Sequence, residues 1–219
     1  MKPTRTSKAW MREHVNDPFV KKARLEGYRS RAAYKLMEID DRDRLLQPGS
    51  AVVDLGAAPG GWSQVARARV GRAGRVWAVD LLPMAPLEGV TFLQGDFNAP
   101  EIREALAAAL PERGADLVLS DLAPNISGVA LYDQARAAEL WDAALIFAVN
   151  TLKPNGKFLV KAFHGGDFEI YVRHLRLMFE SVATRKPAAS RDRSPEVYLL
   201  GKTLKSGARD RLRQIFCPE

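Results

Sequence analysis

Four aspartates and one lysine mark the places in this chain where chemistry could gather. Asp54 stands inside the apolar run Val52-Val53-Asp54-Leu55, and Asp80 closes Val76-Trp77-Ala78-Val79. Asp96 follows Val90-Thr91-Phe92-Leu93 by way of Gly95, Asp121 follows Leu117-Val118-Leu119-Ser120, and Lys161 lies near the end of residues 157–163. Directly after the first run come Gly56, Gly60 and Gly61, with Pro59 among them. Glycine lets a backbone approach a ligand closely, because no Cβ intervenes. A carboxylate inside an apolar run is costly to bury without partners. Asp54 beside a glycine turn therefore reads as part of a binding site.

Spacing narrows the ligand. A dinucleotide site would show G-x-G-x-x-G at the turn, and a P-loop would place a lysine after its glycines. Here Gly56 is followed by Ala57 and Ala58, and no lysine follows Gly61. The expected ligand carries an adenosine but no phosphate. Asp80, 24 residues after Gly56, is placed to accept hydrogen bonds from ribose hydroxyls, and Asp96 to reach an adenine amino group. Taken singly, each acid reads better as a helix cap or turn residue. Asp54, Asp80 and Asp96 at three successive strand ends argue for one cleft.

The elements that must position these groups alternate. Asp17-Pro18 reads as the start of a helix running to about Leu25, with proline at the first helical position. Ser30 reads as the N-cap of a second helix to about Arg44. On it Arg31, Lys35 and Glu38 share one polar face, where an ion-pair ladder is the plain reading of Lys35. After Pro48-Gly49, strands and helices come in turn. The helices are expected over 61–70, from Pro100, over about 133–152 and from Asp167; the last two strands cover about 181–185 and 197–202. Trp141 falls among core positions of its helix. Seven strands in this order predict an α/β, Rossmann-like single domain, a mostly parallel seven-stranded sheet with helices on both faces. Ligands of such sheets lie beyond the carboxyl ends of the strands, which makes the four acids and Lys161 neighbours.

Val52 to Gln64, Ser120-Asp121-Leu122-Ala123-Pro124-Asn125, Val160-Lys161-Ala162-Phe163 and Arg193-Ser194-Pro195-Glu196-Val197-Tyr198 together resemble the FtsJ family, over about Tyr28 to Thr203. The resemblance implies a class I S-adenosylmethionine-dependent methyltransferase that modifies ribose 2′-hydroxyls of RNA. It implies Lys161, Lys35, Asp121 and Glu196 as the catalytic set, Lys161 acting as a base or as a charged group that steers the hydroxyl. It implies Gly60, Trp62, Asp80, Asp96 and Asp121 as cofactor contacts, to which the glycine turn adds Asp54 and Gly56. Within the family, the compact chain is similar to the bacterial enzymes that modify a uridine in the A-loop of 23S ribosomal RNA, and the expected partner is that RNA within the large ribosomal subunit. A transfer-RNA anticodon-loop methyltransferase of the same family is the nearest alternative, since the same four residues serve there. A non-catalytic RNA-binding assembly factor and, on fold analogy alone, a dehydrogenase are the others. Amino-group methylation goes with an Asn- or Asp-Pro-Pro-aromatic loop, which residues 121–125 do not form. Cytosine C5 methylation needs a cysteine nucleophile, and Cys217 stands in no such motif.

Composition agrees with these expectations. Of 219 residues, 47% are hydrophobic and 27% charged, ordinary for one globular domain. The single Cys217 excludes an internal disulfide and no Cys/His cluster suggests a metal, so a reducing, cytoplasmic setting and no metal are expected. No apolar stretch is long enough to span a bilayer. The formal net charge is +7, and residues 1–35, with ten Lys or Arg against three acids, carry all of it. That arm also holds Trp10, Phe19 and Tyr28, which could stack on bases or pack onto the domain. A basic, aromatic-bearing arm favours a polyanion, RNA rather than DNA or membrane. A second basic cluster, Arg185, Lys186, Arg191 and Arg193, lies near the other end. The expected organisation is a basic arm over 1–27, a methyltransferase domain over 28–205 and a tail over 206–219, acting as a monomer.

Overall fold

The computed structural model describes residues 17–124, 128–191 and 194–216. Trp10, Asn125, Arg193 and Cys217 lie outside them. The chain opens with helices α1 (Pro18–Leu25) and α2 (Ala32–Asp43), followed by β1 (Ala51–Leu55), α3 (Gly61–Val70), β2 (Arg75–Asp80), β3 (Val90–Gln94), α4 (Pro100–Ala109) and β4 (Ala115–Ser120). Then come α5 (Ala130–Thr151), β5 (Leu152–Phe163), α6 (Phe168–Met178), β6 (Phe179–Arg185), β7 (Glu196–Leu204) and α7 (Ala208–Phe216).

The seven strands form one sheet in the order β3-β2-β1-β4-β5-β7-β6. All neighbours from β3 to β5 pair in parallel, whereas β7 runs antiparallel to both β5 and β6. Strands buried on both faces read as unbroken apolar runs, and β1 is buried throughout. One face packs on α4, α5, α6 and α7 through residues such as Val53, Leu145, Phe158 and Leu175. The other packs on α2 and α3 through Val52, Leu36, Trp62 and Leu159. The order of connection reverses between β1 and β4, and a crevice opens there at the carboxyl ends.

α1 begins as expected: the Asp17 carboxylate accepts from the backbone amides of Phe19 at 2.9 Å and Val20 at 3.4 Å. The start of α2 differs. Its N-cap is Arg31, and no side chain caps it; Ser30 packs instead against Gly61, where an added Cβ would meet its Oγ at 2.3 Å. Asp167 occupies the N-cap of α6 but its carboxylate makes no cap bond. α5 starts earlier than periodicity predicts, at Ala130. β5 begins at Leu152, with a register break against β4 that takes up Pro154-Asn155-Gly156 before Leu117 pairs Lys157. Past residue 205, where a tail was expected, Ala208 and Leu212 of α7 are buried against the core. α1 packs through Ala23 and Phe19 on Tyr34 and Ala189. Among the described residues, no helix is long and apolar enough to cross a membrane.

Candidate active site

The carboxyl ends of β1, β2 and β3 hold the first group of residues. Asp54 is fully buried on β1; its Oδ2 accepts from Ser63 Oγ at 2.6 Å, and its Oδ1 has no protein partner. Burial pushes its carboxyl up to about 7, against the bonds from Ser63, with Asp121 and Asp80 adding to the rise. An acid held there with one free oxygen is a receptor for a donor or a positive charge, because an unpaired buried polar atom costs about 1–3 kcal/mol. Asp80 is the hinge of the turn: Oδ2 accepts from Ala58 N and Oδ1 from Leu82 N, each at 2.8 Å. Asp96 stands exposed after β3, one oxygen accepting from Asn98 N at 2.9 Å.

The glycines serve the protein's own packing. Gly56 has φ +78°, and a Cβ there would meet the backbone nitrogen of Leu122 at 2.9 Å. Its bareness lets the β4 loop cross close over the end of β1, where Asp121 N donates to Leu55 O at 2.9 Å. Gly60, at φ +110°, leaves room for Arg29 and Met84, and the Ala58–Pro59 bond before it is cis. Arg29 donates to the carbonyls of Ala85 and Pro86 at 2.7 and 2.8 Å and of Pro59 at 3.3 Å. Gln64 holds the same segment, its Oε1 accepting from Arg29 N and its Nε2 donating to Gly27 O. Trp62 lies in the first turn of α3, but its indole is buried, donating to Ala32 O at 2.8 Å and packing on Tyr198. Only its backbone faces the turn, where the first amides of a helix have no intrahelical acceptor.

The second group sits over β4, β5 and β7, and the structure brings all four of its expected members together. Lys161, 7% exposed, donates to the Asp121 carbonyl at 2.6 Å and lies 3.1 Å from Asp121 Oδ1. Lys35 reaches out from α2 to Glu196 Oε1 at 2.6 Å. This pair replaces the surface ladder that helical spacing suggests; Arg31 turns to Asp17, and Glu38 accepts from Ala188 N. Glu196 stands on an interior strand, for β7 lies between β5 and β6, and its side chain is buried. Burial raises its carboxyl, but Lys35, Ser190 and Lys161 together hold it below the usual carboxylate range.

Tyr198 is the member that spacing alone did not single out. Its hydroxyl lies 3.1 Å from Asp121 Oδ1 and 3.3 Å from Glu196 Oε1. Burial between two carboxylates pushes its own hydroxyl well above the ordinary tyrosine range. The signal was available: residues i and i+2 of a strand share a face, and Tyr198 stands two after Glu196 and opposite Lys161 in register.

Two lysine amino groups and two carboxyl groups thus meet at one end of the sheet, with a buried acid and a helix N-terminus beside them. Such a set can bind a cationic nucleoside on one side and orient a hydroxyl on the other. Among the described residues no group of His, Cys, Asp and Glu could hold a metal ion.

Comparison with known proteins agrees with the geometry. The profile of the FtsJ-like methyltransferase family matches residues 28–204. A Dechloromonas aromatica protein named ribosomal RNA large subunit methyltransferase E is 60% identical over 94% of this chain and 100% of its own. One of the same name from Thiobacillus denitrificans is 61% identical, over 92% and 91%. A Plasmodium falciparum structure described as a ribosomal RNA methyltransferase superposes with a TM-score of 0.73 at 29% identity, covering 81% of this chain and 98% of that one.

Proposed function

The chain belongs to the FtsJ-like methyltransferase family, and on that premise we propose that it methylates the ribose 2′-hydroxyl of a uridine in the A-loop of 23S ribosomal RNA, using S-adenosylmethionine and acting as a monomer in the cytoplasm. The observation that carries the reading is the convergence of Lys35, Asp121, Lys161 and Glu196 beside the Asp54–Asp80 turn. Relatives named for the large ribosomal subunit, matched over nearly their whole length, support the choice of RNA.

Asp80 and Asp96 would hold the adenosine, and Asp54 with the first turn of α3 the charged remainder. The unpaired Oδ1 of Asp54 fits a positively charged ligand, since opposite charge stabilises a buried carboxylate. When bound, S-adenosylmethionine supplies an electrophilic methyl group with its leaving group built in. The chain's own residues hold the acceptor and handle its proton. With its amine in the neutral form, Lys161 Nζ takes the proton of the 2′-hydroxyl, and Asp121, already in contact with that nitrogen, stabilises the ammonium that forms. The Lys35–Glu196 pair fixes the ribose from the other side, and Tyr198 spaces the two carboxylates. Holding acceptor and base in one geometry makes the transfer effectively unimolecular.

The test is methyl transfer from tritiated cofactor to large ribosomal subunits and to bulk transfer RNA. Label in the subunits, lost by about 10²- to 10⁴-fold in Lys161→Met while cofactor affinity holds, is the expected result. Label in transfer RNA alone would reassign the substrate; equal loss of cofactor binding in Lys161→Met would make Lys161 structural.

A further inference from the structure

Beside the lysine–carboxylate cluster lies a cavity that no step above uses. It measures about 420 Å³ and opens between α5 and the loop after β5. Trp141, Phe163, Pro124 and Pro195 make its walls, and Gln134 and His164 bring polar atoms to it. The Trp141 and Phe163 rings stand 6.4 Å apart, tilted by 31°.

Three of the four walls are tied to members of the cluster. The Phe163 ring lies 5.9 Å from Lys161 Nζ. Pro195 precedes Glu196, and its carbonyl accepts from His164 N at 3.1 Å. Pro124 stands three residues after Asp121. Gln134 crosses the mouth so closely that a Cβ on Gly165 would meet its amide nitrogen at 2.9 Å. The cavity therefore adjoins the cluster, and no residue of the Asp54 turn lines it.

We propose that this slot receives the base of the nucleotide whose ribose is methylated, and that the Gln134 carboxamide bonds its edge. The proposal rests on the chain being an RNA 2′-O-methyltransferase. In a nucleotide the base is carried on the carbon next to the one bearing the 2′-hydroxyl, so a hydroxyl at Lys161 brings its own base to the Phe163 wall. Unstacked RNA bases are recognised by aromatic rings on their faces and hydrogen bonds at their edges. Swinging a base out of its stack costs a few kcal/mol, and burial against Trp141 and Phe163 offsets that cost. A carboxamide presents a donor and an acceptor side by side, matching two adjacent positions on the pairing edge of a pyrimidine.

Three measurements on the full chain test it. Gln134→Ala, at an exposed helix position, and Ala137→Phe, which fills the slot, should each raise KM for large ribosomal subunits about tenfold with cofactor affinity unchanged. RNA carrying 5-iodouridine at the acceptor nucleotide should cross-link on irradiation to the peptide containing Trp141 or Phe163. If wild-type protein labels no RNA, the enzymatic assignment itself falls. If it labels RNA but the cross-link maps elsewhere, or Gln134→Ala keeps wild-type KM, the slot is not the base site. The cross-link decides on its own should Ala137→Phe fail to fold.

Discussion

Tyr198 sets one hydroxyl between two carboxylates, 3.1 Å from Asp121 Oδ1 and 3.3 Å from Glu196 Oε1. It has one proton to donate, so each carboxylate also depends on its lysine. Tyr198→Phe keeps the ring that packs on Trp62 and removes only this link. The expected outcome is a loss of about 1 kcal/mol in stability and about a tenfold drop in kcat, with cofactor affinity intact. Unchanged turnover in single-turnover assays would show that the lysines alone hold the carboxylates.

Asp54 makes stability depend on pH in an unusual direction. Its carboxyl is raised from 3.8 to about 7 by burial, so the folded protein keeps a proton that the unfolded chain gives up above about pH 4. Stability from this group is complete below that pH and falls on the order of 4 kcal/mol as pH rises to about 7. Asp54→Asn should flatten that part of the urea-denaturation profile and make the variant more stable than the parent at about pH 8, at the expense of cofactor binding. A slope that persists in the variant would mean Asp54 is ionised before any ligand arrives.

Asp43 works in the opposite sense. Its carboxyl, 4% exposed, accepts from Arg185 at 2.6 and 2.8 Å and from Lys202 at 2.9 Å. The Arg185 bonds, aided by Lys202 and opposed by burial, hold it at about 2. It ties the end of α2 to β6 and β7, and through them to Glu196. The stabilisation is present above about pH 4 and is lost as pH falls through about 2. Asp43→Asn should cost about 2 kcal/mol at neutral pH and only a small fraction of that at about pH 2 by the same denaturation measurement; an equal loss at both would trace the effect to packing.

Much of this was legible in the order of residues because parallel strands are buried on both faces. Val52-Val53, Val76 to Val79 and Leu117 to Leu119 announce themselves as apolar runs, and a parallel sheet gathers the residues just beyond them at one edge. Asp54, Asp80 and Asp121 came with the strands. Lys35 and Glu196 did not, except by resemblance. Lys35 spaces like a surface residue on α2, and its partner is 161 positions away; no local pattern encodes that pairing. Ser30 misled because its hydroxyl packs on Gly61 instead of capping a helix. α7 was overlooked although Ala208, Leu212, Ile215 and Phe216 sit at helical spacing on the core.

The N-terminal arm yields the last prediction. Asp17 caps α1 and pairs with Arg31, so the domain should remain intact when cut before it. Removing residues 1–16 takes away Lys2, Arg5, Lys8 and Arg12. RNA affinity should weaken, and the slope of log K against log salt should shrink by about 0.7 to 0.9 for each phosphate that the arm had neutralised. Filter-binding titrations over a salt series would measure both; an unaltered slope would place the arm away from RNA.

The reversed course of β7 has a geometric corollary. Every parallel strand delivers its last residues to the rim that holds Asp54, Asp80 and Asp121 and leaves its first ones at the opposite pole of the sheet. A strand running the other way swaps those poles: Glu196, where β7 starts, lands beside Phe163, where β5 finishes. Flipping that single strand to match its neighbours would carry Glu196 and Tyr198 the length of the sheet away from Lys161, so the direction of travel of one strand is itself what assembles this cluster.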